Sequence, residues 1–450
     1  MTFDFQGVRQ PIVARFDQAH ASSEGGALLL KAIDERLELT QRLAACLIDR
    51  RQPAKVEHEV IELVRQRVFG IACGYTDGND AARLREDPIH KLLLERDPLA
   101  GAALGSQPTL SRFENAVGLR EVVAMGQVLA DTVIAQHQRR LRGRRVERIT
   151  IDLDPTVDPT HGQQQLTFFN GHYDTACYLP LVATLTFNDE PTQYLVGIVL
   201  RPGNSTATHG VIGRLRALFA QLRAAFPGAR LRVRLDGGFT GNPLVDFLEA
   251  EGVEYVVGLA SNARLAKRVR RLLGRARMAS KASGQSERLY GETRYAAKKW
   301  SHKRRVIMKA EVVRYLGRAP RDNPRFVVTN LPDPPQTVYE IYGGRGDMEN
   351  RIKELKEGLG LDRTSCSRFV ANQFRVQLTV AAYVLYQTLQ QHTHGTACAE
   401  AQVSTLRERL IKLAVWVERS VRRIVLHLPT TFPWLTTWRR LALAVGAVPA

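Results

Sequence analysis

The sequence predicts a mixed α/β fold, a sheet-bearing middle flanked by helical N-terminal and C-terminal regions. Three observations predict it. Apolar residues recur every three to four positions up to about residue 145 and again beyond residue 342. Between these regions the period falls to two in several short runs. Those runs come first in succession and then alternate with helical segments, the order of an α/β core. The 450 residues, 44% of them hydrophobic, are enough for two to four domains with a sizeable core. Disorder and a collagen-like repeat are excluded.

In chain order, the spacing predicts helices over 26–39, 56–73, 81–94 and 117–137. A further helix after Gly105 has Ser106 as N-cap and Pro108 in its first turn. As the second helix of a helix-turn-helix it offers Gln107, Thr109 and Arg112 to a DNA groove, and an ordinary capped helix is the alternative. Residues 148–154 alternate apolar and polar, a strand with Asp152 and Asp154 on one face. Strands follow over 178–187 and 193–201, a helix over 211–226, a strand over 230–235, a helix over 243–251 and a strand over 254–259. The segment 261–340 holds strand-like pieces at 305–315 and 325–329. Helices are expected over 347–359, 367–391 and 399–426. The division is therefore 1–145, 146–260, 261–340, 341–365 and 366–450.

Charge is the loudest compositional feature. Lys and Arg number 64 against 45 Asp and Glu, a net charge of +19 and a pI near 10.1. Residues 1–145 carry 21 basic and 19 acidic side chains; residues 261–325 carry 20 basic and 4 acidic. Most of the excess thus sits in one seventh of the chain. Such a field draws polyanions, nucleic acid foremost. Lys298, Lys299, Trp300 and Arg304 combine phosphate-neutralising cations with an aromatic face able to stack on a base. No apolar run approaches a membrane span, 376–385 being the nearest, and the N-terminus lacks a secretory pattern. Five scattered cysteines without a CxxC pair fit a reducing cytosol rather than a disulfide scaffold.

Two aspartates end predicted strands: Asp154 before Pro155-Thr156, and Asp236 before Gly-Gly-Phe. Strand-end carboxylates from one sheet can converge on a hard cation. Further on, Tyr342, Arg345, Glu349 and Lys356 follow the spacing Y-x2-R-x3-E-x6-K. Steps of four and seven residues place Arg345, Glu349 and Lys356 on one helical stripe. A carboxylate with a cation one turn before and two turns after suits metal and phosphate together. The bland alternative is an exposed helix in which Glu349 pairs with Arg345 and Lys353.

These residues resemble the bacterial insertion-sequence DDE transposases with the Y-R-E-K signature, specifically the insertion-sequence family designated 1380. The resemblance rests on Asp154-Pro-Thr-Val-Asp-Pro-Thr-His-Gly, Phe168-Phe-Asn-Gly-His-Tyr, Cys177-Tyr-Leu-Pro-Leu, Arg201-Pro-Gly-Asn, Asp236-Gly-Gly-Phe and the run from Tyr342 to Lys356. Phe69-Gly-Ile-Ala-Cys-Gly-Tyr-Thr-Asp and Ser106-Gln-Pro-Thr-Leu-Ser-Arg-Phe-Glu-Asn extend it over nearly the whole chain. It implies a ribonuclease-H-like catalytic core interrupted by a β-rich insertion, here the basic segment. It implies catalytic and metal-binding roles for Asp154, Asp236 and Glu349, with Asp152 the alternative first ligand. Tyr342, Arg345 and Lys356 would contact phosphate, and Trp300 would hold a flipped base. Two Mg²⁺ or Mn²⁺ ions per site, terminal inverted repeats and target DNA as partners, a homodimer on DNA and a cytoplasmic, nucleoid-associated location are implied too. The implied activity is two-metal cleavage and strand transfer, cut-and-paste. A metal-dependent DNA nuclease, or a transposase-derived DNA-binding protein without strand transfer, is the alternative.

Overall fold

A computed structural model describes residues 2–3, 9–10, 12–298 and 300–448. The chain forms two compact units, Val117–Val380 and Met1–Ala116 with Ala381–Ala450. The helix Leu119–Arg140 (α1) belongs to the first of these, so the sheet-bearing unit begins earlier in the chain than residue 146.

Among the described residues, nine strands build the central sheet of the Val117–Val380 unit. Eight lie along its path: Arg148–Pro155 (β1), Leu181–Phe187 (β2), Tyr194–Val199 (β3), Arg230–Leu235 (β4), Glu254–Leu259 (β5), Glu287–Tyr295 (β6), Arg304–Val313 (β7) and Arg325–Thr329 (β8). The order is β6-β7-β8-β5-β4-β1-β2-β3. Strands β1, β4 and β5 are mutually parallel neighbours; β1-β2-β3 is an antiparallel meander. The parallel strands are buried on both faces, which explains the apolar runs Val-Val in β5 and Ile-Thr-Ile in β1. Helices Val211–Ala225 (α2) and Asn242–Ala250 (α3) connect the strands.

The basic segment differs from expectation in two ways. It opens with a helix of 21 residues, Ala263–Ser283 (α4), whose polar exterior hides an apolar stripe of Leu265, Val269, Leu273 and Ala276. Its strands do not form a body of their own. Strand β8 pairs antiparallel with β5, so β6, β7 and β8 prolong the central sheet.

The stretch beyond β8 is helical but changes pitch. Pro335–Gly343 (α5) passes through a 3₁₀ turn, Gly344–Gly346, into Asp347–Lys353 (α6) and then a π turn, Glu354–Gly358. Arg345, Glu349 and Lys356 therefore do not share one stripe of a uniform helix. Residues 369–391 form the helix Phe369–Gln391 (α7).

In the other unit, the expected helix over 81–94 is two short ones, Ala81–Leu84 and Pro88–Leu93, because Pro88 cannot continue a helix. The expected helix over 399–426 is also corrected. Helical turns end at Ile411, and a hairpin of Val415–Arg419 with Ile424–His427 follows. Val415 and Val417 are buried while Trp416 and Glu418 are exposed, the period of two that a strand imposes. Among the described residues no helix is long and apolar enough to cross a membrane.

Candidate active site

The register of β1 and β4 fixes the heart of the site. Asp152 lies opposite Arg234 and Leu153 opposite Leu235. One step further brings Asp236, just past the end of β4, level with Asp154. Side chains two apart in a strand share a face, so two rows arise on that face. The inner row is Thr184, Asp152, Arg234 and Val256; the outer is Val182, Asp154, Asp236 and Gly258.

Asp152 is fully buried, and the guanidinium of Arg234 grips it at 2.8 and 2.7 Å. Gln193 donates to the same carboxylate at 3.1 Å. With its oxygens thus engaged, Asp152 is not placed to coordinate a metal, and Asp154 is the acid of β1 that faces the site.

Burial raises the Asp154 carboxyl to about 6; Arg345 opposes the rise, while Asp236 and Glu349 add to it. Asp236 and Glu349 are therefore each near enough to disfavour a charge on Asp154. Arg345 donates to Asp154 Oδ2 at 2.9 Å. The Asp236 carboxylate accepts the backbone N–H of Gly238 at 2.9 Å, which caps the 3₁₀ turn Gly237–Phe239 and fixes the rotamer. Glu349 is exposed on α6 and makes no hydrogen bond or ion pair among the described residues. The bland pairing of Glu349 with Arg345 and Lys353 is absent: Arg345 turns to Asp154, and Lys353 to Glu357 at 3.8 Å. Beneath Glu349, Met348 is buried, with Thr184 Oγ1 at 3.3 Å from its sulfur.

The Tyr342 hydroxyl stands over Gly258. A Cβ there would lie 2.6 Å from the hydroxyl and 2.8 Å from the Gly237 nitrogen, so this strand position must be glycine. Burial raises the Tyr342 phenol, with Asp236 and Asp154 contributing. Lys356 sits in the π turn and donates to the Val157 carbonyl at 2.5 Å, tying α6 to the chain just past Asp154. Burial lowers its ammonium, against the pull of Asp362 and Asp158. Tyr173 also faces Asp154 and Asp236, which with burial raise its phenol. Sequence reasoning missed Tyr173, Arg234 and Gln193; Tyr173 lay within the quoted motif Phe168-Phe-Asn-Gly-His-Tyr.

The other sequence-predicted residues divide. Trp300 is only 9% exposed, its ring against Tyr295 and under the Arg304 guanidinium at 5.2 Å. Arg304 is 2% exposed and bonded to Glu249, at 2.8 Å from both of its oxygens, and to Asp246. Both side chains are buried in this structure, and Arg304 is turned onto the acids of α3 rather than outward as expected. Lys298 is exposed, and Lys299 lies outside the described residues. Gln107 and Thr109 are half-buried in the helix Gln107–Ala116, the Thr109 hydroxyl 3.0 Å from that of Ser106, and Arg112 is exposed.

A second acid cluster, Asp246, Glu249 and His302, has ligand atoms within 4.8 Å of one another. Arg304 already neutralises it, so an ion-pair network accounts for it without a metal. A cavity of about 730 Å³ lies between α1, α2, α7 and the β2-β3 edge; its walls are mainly apolar and include none of the three site acids.

At the main site, Asp236 past the end of β4 and Glu349 on α6 lie near enough to Asp154 of β1 to act on its carboxyl, with Arg345 as counter-charge, although among the described residues only Asp246, Glu249 and His302 bring three ligand atoms within 4.8 Å of one another. The upward shift of Asp154 comes first from its burial, with Asp236 and Glu349 adding to it against Arg345. Oxygen donors of this kind suit hard divalent cations, so the residues fit a metal. A family model described as transposase DDE domain group 1 matches residues 5–448. No curated protein matches the chain.

Proposed function

Because the chain belongs to the transposase DDE domain group 1 family, and is thus a metal-dependent enzyme that cleaves DNA and transfers strands, we propose that Asp154, Asp236 and Glu349 are its metal-holding acids. The observation that carries the proposal is the β1–β4 register, which sets Asp154 beside Asp236, with Asp152 withdrawn by Arg234 and the Arg345 guanidinium on Asp154 leading toward Glu349. The strand order β3-β2-β1-β4-β5, a meander followed by two strands parallel to β1, supports a ribonuclease-H-like core. The run from Tyr342 to Lys356 supports membership of the Y-R-E-K subset and of the insertion-sequence family designated 1380.

Two Mg²⁺ ions, when bound, would supply an activated hydroxyl for in-line attack and stabilise the departing oxygen. Asp154 and Asp236 reach the site from adjacent strands, and Glu349 closes it from α6. Arg345 exchanges Asp154 for a phosphate oxygen as DNA enters, a charge-assisted contact of equal quality. The Tyr342 hydroxyl, fixed over Gly258, contacts the same strand. Lys356, released from Val157, adds a cation beside the phosphates.

Outside the acids, the exposed face of α4 receives the DNA backbone. Arg264, Lys267, Arg270, Arg271, Arg275 and Lys281 are exposed and make no ion pair among the described residues. At about 100° per residue they cover the half of the helix opposite its apolar stripe. Lys298 and, on the helix Gln107–Ala116, Arg112, Gln107 and Thr109 add further contacts to terminal inverted repeats. The reaction is cut-and-paste in the cytoplasm, a homodimer holding two ends.

Incubating the protein with end DNA and Mg²⁺ tests the reading. Nicked ends and end-to-target joined products are expected, and Glu349→Gln should bind ends normally while losing both. Cleavage without joined products would favour the nuclease alternative. A Glu349→Gln protein that cuts as fast as the parent would overturn the site.

A further inference from the structure

The three acids come from three separate segments, and one buried side chain on β4 is bonded to β1 and to the helix that precedes the third. Arg234 is on β4, two residues before Asp236. Its Nε and Nη2 hold Asp152, two residues before Asp154 on β1, at 2.8 and 2.7 Å. Its Nη1 donates to the carbonyl of Ile341 on α5 at 2.9 Å, in the helical stretch that leads to Glu349. Gln193 repeats the link from the β3 side, reaching Asp152 at 3.1 Å and the Gly344 carbonyl at 3.3 Å.

Gly344 supplies an independent sign of the same demand. Its φ of −61° and ψ of −11° suit any residue. Yet a Cβ there would lie 2.3 Å from Arg234 Nη1, so an alanine would have to displace the guanidinium rather than strain the backbone. Fold stability alone is a poor reason for such an arrangement, since well-packed apolar residues replace buried ion pairs without loss in many proteins. A planar fork with fixed donor directions is instead suited to holding several groups at set distances.

We infer that Arg234 is a positioning residue: through Asp152 and the Ile341 carbonyl it sets the spacing of Asp154, Asp236 and Glu349. This rests on the reading of those acids as metal-holding. Supporting residues of this kind typically govern metal affinity and rate by about 10- to 100-fold.

The test uses the full chain with Mn²⁺ alone as probe, its binding followed by paramagnetic resonance. Melting temperature and end-DNA cleavage at saturating DNA are measured alongside. Gly344→Ala, which crowds the guanidinium without disturbing the backbone, is expected to keep its melting temperature and its affinity for DNA. It should lose about 10- to 100-fold in Mn²⁺ affinity and in cleavage rate. The double variant Asp152→Leu with Arg234→Met, which replaces the pair by apolar side chains, should behave alike. Mn²⁺ affinity and rate within twofold of the parent in either variant would overturn the inference, even if that variant melted earlier. Glu349→Gln separates the two readings. If it is inactive while the other variants are fully active, only the positioning role fails. If it cleaves normally, the site itself is wrong.

Discussion

At the residue scale, the geometry makes Asp154 a costly carboxylate. Its folded pKa, about 6, lies above the unfolded value near 3.9, so the native state holds a proton that the unfolded state releases. Without metal, this group's contribution to stability is greatest below about pH 4 and falls as pH rises through about 6. Asp154→Asn should accordingly raise the unfolding free energy at pH 7.5 by about 2 kcal/mol, seen as a higher melting temperature, with little gain at pH 4. Equal gains at both pH values would remove the electrostatic explanation. Metal affinity should weaken as pH drops below about 6, because the proton and the cation compete for one carboxylate. Gly258→Ala makes a second test: overpacking against the Tyr342 hydroxyl and the Gly237 nitrogen should cost about 1–3 kcal/mol. An unchanged melting temperature would show that the strand yields instead. The places of Asp154 and Asp236 near strand ends were legible because strand-end position is a local property. Arg234 was not. In the run Arg230-Leu-Arg-Val-Arg-Leu it reads as one of three like cations on a polar face, and nothing nearby in the sequence discloses that Arg232 meets Glu254 while Arg234 meets Asp152.

At the element scale, α4 carries cations that are exposed, whereas Arg304 is spent inward. Counting showed 20 cations against 4 acids in the basic segment, but Arg304 pairs with Asp246 and Glu249 of α3, outside the window counted. Charge counting along a chain ignores acids that fold over from elsewhere. The free cations of α4 yield a measurable expectation. Replacing Lys267, Arg271, Arg275 and Lys281 by Ala should leave the melting temperature nearly unchanged, since all four are exposed. It should flatten the dependence of log K for DNA on log salt by about 0.9 per lost contact. An unaltered slope would exclude α4 from the DNA interface. The helix over 399–426 was illegible for another reason: residues four apart share a helical stripe and also one face of a strand, so Val417, Val421 and Val425 satisfy either pattern, and only pairing with a partner strand decides.

At the scale of the whole molecule, the α/β class followed directly from the switch of period, whereas the unit boundaries did not. The helix Leu119–Arg140 reads like its helical predecessors, yet it packs with β3 and α2 in the sheet-bearing unit. The basic strands likewise look separable in sequence and are continuous with the central sheet through β8 and β5. The proposed homodimer is checked by light scattering: protein mixed with end DNA should double in protein mass relative to the free chain if the latter is a monomer. One protomer per two ends would refute it.

The pairing of β1 with β4 has a consequence for how the chain finds its native form. Shifting β1 by one residue would turn Leu153 toward the acids and drive both Asp152 and Asp154 through to the opposite side, among apolar neighbours. Arg234 would lose its partner, and an unmatched buried cation costs about 3–5 kcal/mol. A misaligned sheet is thus heavily penalised before any substrate is met, and molecules that escape refolding into the correct alignment are removed from the population by their own instability.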